Sequence, residues 1–419
     1  MPNQPLPSPK QPKIDDPNLW RIYVATLGLG TAYGMAISVI AVFLTARGYH
    51  KTDIGSLASW FAAGIMTMAM ASGTLVGKLG AKRVLLVGLF TYATTVASFP
   101  FAPGYATIAA LRFFDGAASV LVWVASETIL VARARREVKA FVTSIYGMSI
   151  AVGYGAGSFS AFLAGKIMDN RHLFLLAGAL SVLTGLYVLL RLDKDAHVPR
   201  AEPEDDEAKA TTHGQRSSLG SLVNRIKTSC FATFCYGYFQ SSVVLFLPLY
   251  MQQEKAIAED YTKLITAFFA VGMLLAINVA GQVGDRYGHL LVMRLLAAVG
   301  LTMIGGFPLL DSFAGMALAV AIAGATLASI SPLSLALQGV VTREYHRATG
   351  VYNAFYAAGM LLGPPISGQI FHRSGGGPML LHLAALWVGF VLFAQIFRRD
   401  DPRVAREAEG AVVPSAQAD

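Results

Sequence analysis

Gly73-Thr-Leu-Val-Gly77-Lys78-Leu-Gly80 and Gly281-Gln-Val-Gly284-Asp285-Arg286-Tyr-Gly288 carry one glycine pattern at two places in the chain. Gly73 registers with Gly281, and Gly80 with Gly288, at a constant offset of 208 residues. Each stretch follows a long apolar run and precedes another, so each reads as a tight turn between two helices. Recurrence of such a turn at the same place in each half of the chain marks an internal duplication.

The flanking runs set the environment. Leu19–Leu44, Leu85–Phe101, Leu173–Leu190 and Met379–Phe397 approach or exceed the ~18–20 apolar residues that cross a bilayer as helix. Hydrophobic residues make up 54% of the 419 and charged ones 14%, against roughly 45–50% and about 25% in soluble domains. In lipid every backbone polar group must be satisfied within the span, so runs of this length must be helical. The alternating ten-residue pattern of barrel strands is absent.

The expected fold class is therefore an all-α membrane protein with twelve transmembrane helices in two pseudo-symmetric six-helix halves. The spans are expected at 20–44, 54–77, 83–102, 106–131, 138–164 and 171–191, then 223–251, 260–283, 289–309, 313–339, 346–371 and 377–397. Residues 20–191 and 223–397 form the halves, 192–222 a cytoplasmic linker with the acidic run Glu202, Glu204, Asp205, Asp206, Glu207. Residues 1–19 and 398–419 are expected to be cytoplasmic tails. Met1–Pro17 has no apolar core, so the first span is expected to serve as its own insertion signal.

The net charge of +8 is explained by topology, and no nucleic-acid partner is expected. With the N-terminus inside, 25 of the Lys and Arg residues fall on cytoplasmic segments and seven on outer loops, leaving Arg112 within a span. This is the positive-inside asymmetry. It places a multi-pass protein in a cell (inner) membrane with both termini cytoplasmic. There is no P-loop, no metal-ligand spacing of histidines and no catalytic triad arrangement. An ATP-driven pump, a metal site, a cofactor and an enzyme are not expected. Cys230 and Cys235 read as small packing residues.

On these turns the chain resembles the major facilitator superfamily of secondary transporters, over essentially everything but linker and tails. The second turn matches the family loop signature G-x-x-x-D-R-x-G-[RK]-[RK] through Gly281, Asp285, Arg286 and Gly288, with His289 at a basic position. The first turn departs from it, with Gly77 at the aspartate position and Lys78 at the arginine. The resemblance implies a gate built from Gly73, Gly80, Gly281, Gly284, Asp285, Arg286 and Gly288. Asp285 would face Arg135 and Arg136 at the start of the fifth span and close the inner side. The alternative is a plain positive-inside turn.

Arg112-Phe-Phe-Asp115-Gly116 resembles the family's R-x-x-Q-G pattern, with Asp115 replacing glutamine. Ionisable groups inside lipid are costly and face a cavity or a partner. Arg112 and Asp115 share a helical face, about 4.5 Å apart along the axis. They form either a proton-coupling pair or a fixed ion pair that staples the helix. Fifteen residues beyond Arg112, Glu127 sits about 22 Å further along the same helix. It reads either as a proton relay or inner-gate residue, or as a helix-end partner of Arg133, Arg135 or Arg136.

In the eleventh span, Gly350, Gly359, Gly363, Pro364 and Gly368 resemble the family's antiporter signature, with Ser367 replacing one glycine. That signature normally lies on the fifth span, so the implication of export is weaker here. Small residues at this spacing give close helix packing and a kink at proline.

Under the family fold, spans one, five, seven and eleven face a central cavity. Candidate substrate-binding residues are Tyr33, Trp123, Tyr146, Tyr236, Tyr238, Gln240, Asn353 and Tyr356. Each could equally serve packing or an interfacial belt. Tyrosines and amides suit neutral, aromatic or amphipathic solutes. The expected function is secondary active transport of a small organic solute by a monomer in a lipid bilayer, as proton-coupled efflux. Proton-symport uptake of a sugar or organic acid is the first alternative, and a non-transporting receptor or lipid-acting enzyme the second.

Overall fold

A computed structural model describes residues 16–134, 139–193, 218–342 and 345–401. Its regular structure is entirely helical among these residues. Twelve long helices carry the fold: α1 Pro17–Ala46, α2 Lys51–Leu79, α3 Ala81–Ser98, α4 Tyr105–Arg133, α5 Lys139–Gly165 and α6 Asn170–Arg191, then α7 Lys227–Glu254, α8 Ile265–Tyr287, α9 His289–Gly306, α10 Phe313–Val341, α11 Tyr345–Ser374 and α12 Gly376–Ile396. Most of the 192–222 linker and the tails lies outside the described residues, as do Arg135 and Arg136.

Eleven of these helices are long and apolar enough to cross a membrane by composition. The exception is α11, where Thr349, Asn353, Ser367, Gln369 and six glycines and prolines lower the hydropathy. Its 30 residues are nevertheless ample to span the core, and it packs tightly on α7 and α2. Neighbouring helices receive part of its polar surface: Ser367 donates to Ser242 of α7, and Thr349 accepts from Gln338 of α10.

The repeat is closer in three dimensions than the two turns suggest. Gly80 and Gly288 each end one helix and start the next at φ +87° and +101°. Side chains with a Cβ rarely adopt that conformation, which is why glycine recurs there. Both α3 and α9 then close in a 3₁₀ turn, Phe99–Phe101 and Phe307–Leu309. Gly64 on α2 rests on the carbonyl of Phe113 on α4, and Gly272 on α8 rests on that of Ala321 on α10. A Cβ at either position would come within 2.0 and 1.8 Å of those oxygens. All these pairs keep the 208-residue offset.

Packing follows the same symmetry. In the first half α1 packs on α5, α2 on α4, and α3 on α4 and α6; in the second α7 packs on α11, α8 on α10, and α9 on α10 and α12. The halves meet through α2 against α11 and through α5 against α8, with α1 against α7 at the centre. Under an exchange of halves these contacts map onto one another.

Among the described residues, contact between the halves is concentrated at the end of the bundle away from the two glycine turns, here the far end. There Gly55 on α2 packs on the Pro364 carbonyl, Gly368 on α11 packs on the Lys51 carbonyl, and the His50 and His372 rings lie 5.3 Å apart. On the other side Asn170 donates to Glu259 at 2.8 Å, and Phe162 meets Tyr261 at 5.6 Å. At the turn end, Cβ atoms built on Gly73, Gly147, Gly281 and Gly350 would meet nothing within 4 Å among the described residues.

Candidate functional site

Beneath the far-end contacts the halves enclose a cavity with about 910 Å³ of unoccupied space, its open mouth included. The first half supplies Tyr33 and Ile37 from α1, Phe61 from α2, Arg112 and Trp123 from α4, and Tyr154 from α5. The second supplies Gln240 and Ser241 from α7, Thr266, Phe269 and Met273 from α8, and Tyr356 and Met360 from α11. Tyr33 stacks on Tyr154 at 5.0 Å and leans on Phe61 at 6.0 Å. The Tyr356 hydroxyl donates to Gln240 Oε1 at 2.9 Å. Flat apolar walls with a few fixed polar atoms are the usual build of a small-molecule pocket.

Arg112 lines this cavity with its guanidinium 4.3 Å from the Phe61 ring centroid. It also donates to Asp115 Oδ2, one helical turn along α4. Both side chains are buried, at 7% and 8% exposure. A buried charge pair is retained only where its members satisfy each other, since either alone would be strongly destabilising. The second Asp115 oxygen, Oδ1, is buried and finds no hydrogen-bond partner among the described residues. The second half has Val320 and Ala323 at the positions 208 residues on, so the pair has no symmetric counterpart.

Of the residues singled out in the sequence, Tyr33, Trp123, Gln240 and Tyr356 come together on the cavity wall. Tyr146 lies deeper, its hydroxyl 3.4 Å from the Trp123 carbonyl. Tyr238 turns away and meets His382 of α12 at 3.2 Å, beside Ser367. Tyr236 is buried and stacks on Tyr356 at 6.1 Å. Asn353 is exposed near the start of α11. Phe61, Tyr154 and Met360 line the cavity and went unnoticed in the sequence. Tyr154 could have been found, because it lies between Gly153 and Gly155 on a helix expected to face the centre.

Glu127 is exposed on the turn-end half of α4. Arg133, one of its suggested partners, instead bonds Asp16 at 3.1 Å. Asp285 is 76% exposed, with His289 on the following turn 3.1 Å away. Arg286 lies beside the Tyr287 ring, and Gly284 packs on Leu333. On α11, Gly359 and Gly363 bring the helix onto the α7 carbonyls of Phe234 and Tyr238, and Gly368 brings it onto α2. The fifth helix does the same without a Gly-Pro pair: Gly153 and Gly157 pack on Leu27 and Thr31 of α1.

A family model described as the Major Facilitator Superfamily matches residues 22–227 and 229–416. The chain belongs to this superfamily. Among its superfamily relatives, the uncharacterized MFS-type transporter YfkF of Bacillus subtilis is 23% identical over 372 residues, covering 87% of this chain and 92% of that one. The quinolone resistance protein NorA of Staphylococcus aureus is 26% identical over 220 residues, 51% of each chain. Among solved superfamily structures, a variant of the nucleoside transporter NupG superposes with a TM-score of 0.76 at 14% identity, over 90% of this chain and 99% of that one. A D-xylose-proton symporter superposes with a TM-score of 0.70 at 14% identity, over 90% and 96%. These likenesses show the fold. The protein is a multi-pass major facilitator secondary transporter rather than an enzyme.

Proposed function

We propose that the protein exports a small aromatic or amphipathic organic solute in exchange for protons, with both termini cytoplasmic. The observation that carries this reading is that Arg112 serves the cavity and Asp115 at once. While Asp115 is ionised it neutralises Arg112. When Asp115 takes up a proton, the guanidinium keeps its charge and loses its partner, which leaves an uncompensated, water-holding charge on the cavity wall that disfavours an apolar or cationic solute there. Protonation of Asp115 and occupancy of the cavity thereby oppose each other through one side chain, which is the negative linkage an exchanger needs.

The cavity walls support the solute class. Tyr33, Trp123, Tyr154 and Tyr356 offer ring faces, and Gln240 and Ser241 offer hydrogen bonds. Partial likeness to the quinolone resistance protein supports export. With the turn end placed in the cytoplasm by positive charge, the far-end contacts describe an inward-facing state. Gly73, Gly80, Gly281, Gly284, Asp285, Arg286 and Gly288 then form the inner gate, which closes when the cavity opens outward. Gly359, Gly363, Pro364 and Gly368 form a packing seam, from which Gly350, expected to belong to it, stands clear at the turn end, and Glu127 serves as a proton relay at the inner mouth.

The test is reconstitution in liposomes under an imposed pH gradient, with a panel of solutes and the Asp115→Asn variant alongside. Solute should move opposite to protons in the parent, and coupling should be lost in the variant. Movement together with protons would establish uptake by symport instead. Full coupling in Asp115→Asn would remove Asp115 from the mechanism.

A further inference from the structure

At the far end the seam between α2 and α11 finishes in two histidines, one from each half. Gly368 brings α11 directly onto the backbone carbonyl of Lys51, with no room for a Cβ between them. His50 immediately precedes Lys51, and His372 lies about one helical turn beyond Gly368. The backbone contact that closes the far end therefore also brings the two rings together, 5.3 Å apart and tilted by 55°. Both side chains are exposed, so protons from the medium on that side reach them directly. The pair is not a product of the duplication, because the positions 208 residues away hold Ala258 and Ala164. On the α5–α8 side of the same end the charged groups are of opposite sign. There Lys263 is bound by Asp260 at 2.8 Å and Glu259 at 3.8 Å, and Glu259 accepts from Asn170 of the first half.

Histidine is the side chain that gains its charge between about pH 5 and 8. As neutral rings, two imidazoles at this distance make an ordinary ring contact. Once both are protonated, each half carries a positive charge at the mouth of the seam. The surroundings add more of the same sign: Lys51, 4.3 Å from the Phe371 ring centroid, and Arg373. Asp53 on α2 spends Oδ2 on the His50 backbone N–H at 3.1 Å rather than on the ring. On the adjoining elements, Glu254 at the end of α7 accepts from the Gly376 N–H at 2.6 Å. Arg47, after α1, donates to the Ala102 carbonyl at 3.0 Å.

We propose that His50 and His372 form an acid-sensitive catch on the far-end gate: protons taken up from the medium on that side set like charges against each other across the seam and shift the transporter toward its far-end-open state. The proposal rests on the reading that the far end faces outside. Protons bind more weakly while the rings are together than after the halves part, so by linkage acid favours parting. The rings meet the same medium whether the far end is closed or open, so they carry no proton across the membrane. They set how often the cavity faces outward, and Asp115 remains the coupling group. Acid outside thus opens the cavity to the side where protons are abundant, the condition under which inward proton flow drives export.

Ala46 and Ser374 are exposed at the far end, one on each half. In a background lacking Cys230 and Cys235, Ala46→Cys and Ser374→Cys take an impermeant spin label applied to proteoliposomes, which marks only copies whose far end faces out. Pulsed resonance then reads the distance between the halves as the outer medium is taken from about pH 8 to about pH 5. In about 10 mM salt the long-distance population should rise about threefold, the effect of two unit charges about 5 Å apart in water. The rise should largely vanish in about 1 M salt. His50→Gln and His372→Gln should each abolish it, and the double variant should do no more than either. The same histidine-dependent rise is expected with and without Asp115→Asn. No rise in the parent, or a rise that survives either histidine substitution, would overturn the catch. Its loss leaves proton–solute exchange to the pH-gradient experiment, and a working catch in a protein whose solute and proton fluxes prove uncoupled removes only the exchange reading.

Discussion

The hydroxyl of Ser59 on α2 donates to the backbone carbonyl of Leu361 on α11 at 2.7 Å, across the boundary between the halves. In an uninterrupted helix that carbonyl would accept from the N–H of residue 365. Here residue 365 is proline and has no N–H to give. One half thus exposes a backbone acceptor, and the other supplies its donor. The far-end contact is a polar latch as well as a glycine seam, since Gly55 one turn earlier packs on Pro364.

Breaking this latch should shift the conformational balance. Ser59→Ala leaves the Leu361 carbonyl unpaired and removes about 1 kcal/mol from the far-end-closed state. Spin labels at His50→Cys and His372→Cys, in a background without native cysteines, report the distance by pulsed resonance. The long-distance population should rise several-fold in Ser59→Ala, and an unchanged distribution would count against the latch.

The Arg112–Asp115 pair should reveal itself in a double-mutant cycle. Arg112→Ala strands a buried carboxylate and should cost roughly 3–5 kcal/mol of stability. Removing both partners should restore much of that loss. Thermal unfolding in one detergent, followed for the parent, both single variants and the double, measures the coupling. Additive losses would show that the two charges do not stabilise each other.

Cavity-lining and turned-away tyrosines should separate in binding. Anilinonaphthalene sulfonate, an amphipathic aromatic probe, fluoresces when bound in an apolar site. Tyr154→Ala removes a ring from the Tyr33 stack and should weaken probe binding about tenfold, equivalent to roughly 1.4 kcal/mol. Tyr238→Ala, on the α12 side, should leave the affinity where it was. Equal effects at both positions would place the probe outside this cavity.

At the turn end Asp16 caps α1, accepting from the Asn18 backbone N–H at 2.8 Å and from Arg133 at 3.1 Å. Burial pushes its carboxyl up, but the Asn18 and Arg133 hydrogen bonds and the Arg133 charge outweigh that and hold it below the ordinary aspartate range. Asp16→Ala should cost about 1 kcal/mol at neutral pH. A lowered folded-state value means this contribution is complete above the unfolded-state value and fades as pH falls through the folded one. The gap between parent and variant melting temperatures should therefore close only under strongly acidic conditions. A gap that closes near neutrality would contradict the capping account.

Much of this was legible in the chain. Span lengths follow from bilayer thickness, and the Gly80 and Gly288 turns were readable because only glycine suits their backbone. Arg112 and Asp115 stood out because charge in lipid is expensive. The walls of the cavity were less legible. Tyr33 and Tyr238 look alike in sequence, both aromatic and mid-span, yet one faces the solute space and the other His382. Which way a helix is rotated depends on its neighbours, and an evenly apolar helix carries little periodicity to reveal it.

Sequence alone determined that this chain spans a membrane as two related sets of helices, because hydrocarbon forces each span to satisfy its own backbone. It determined the turn glycines and the buried charge pair for equally local reasons. Tertiary structure decided which ends of the halves meet, which rings share the central space, and that Asp115 looks away from it into a pocket with Tyr92. Those outcomes rest on packing between residues tens to hundreds of positions apart, and no local pattern encodes them.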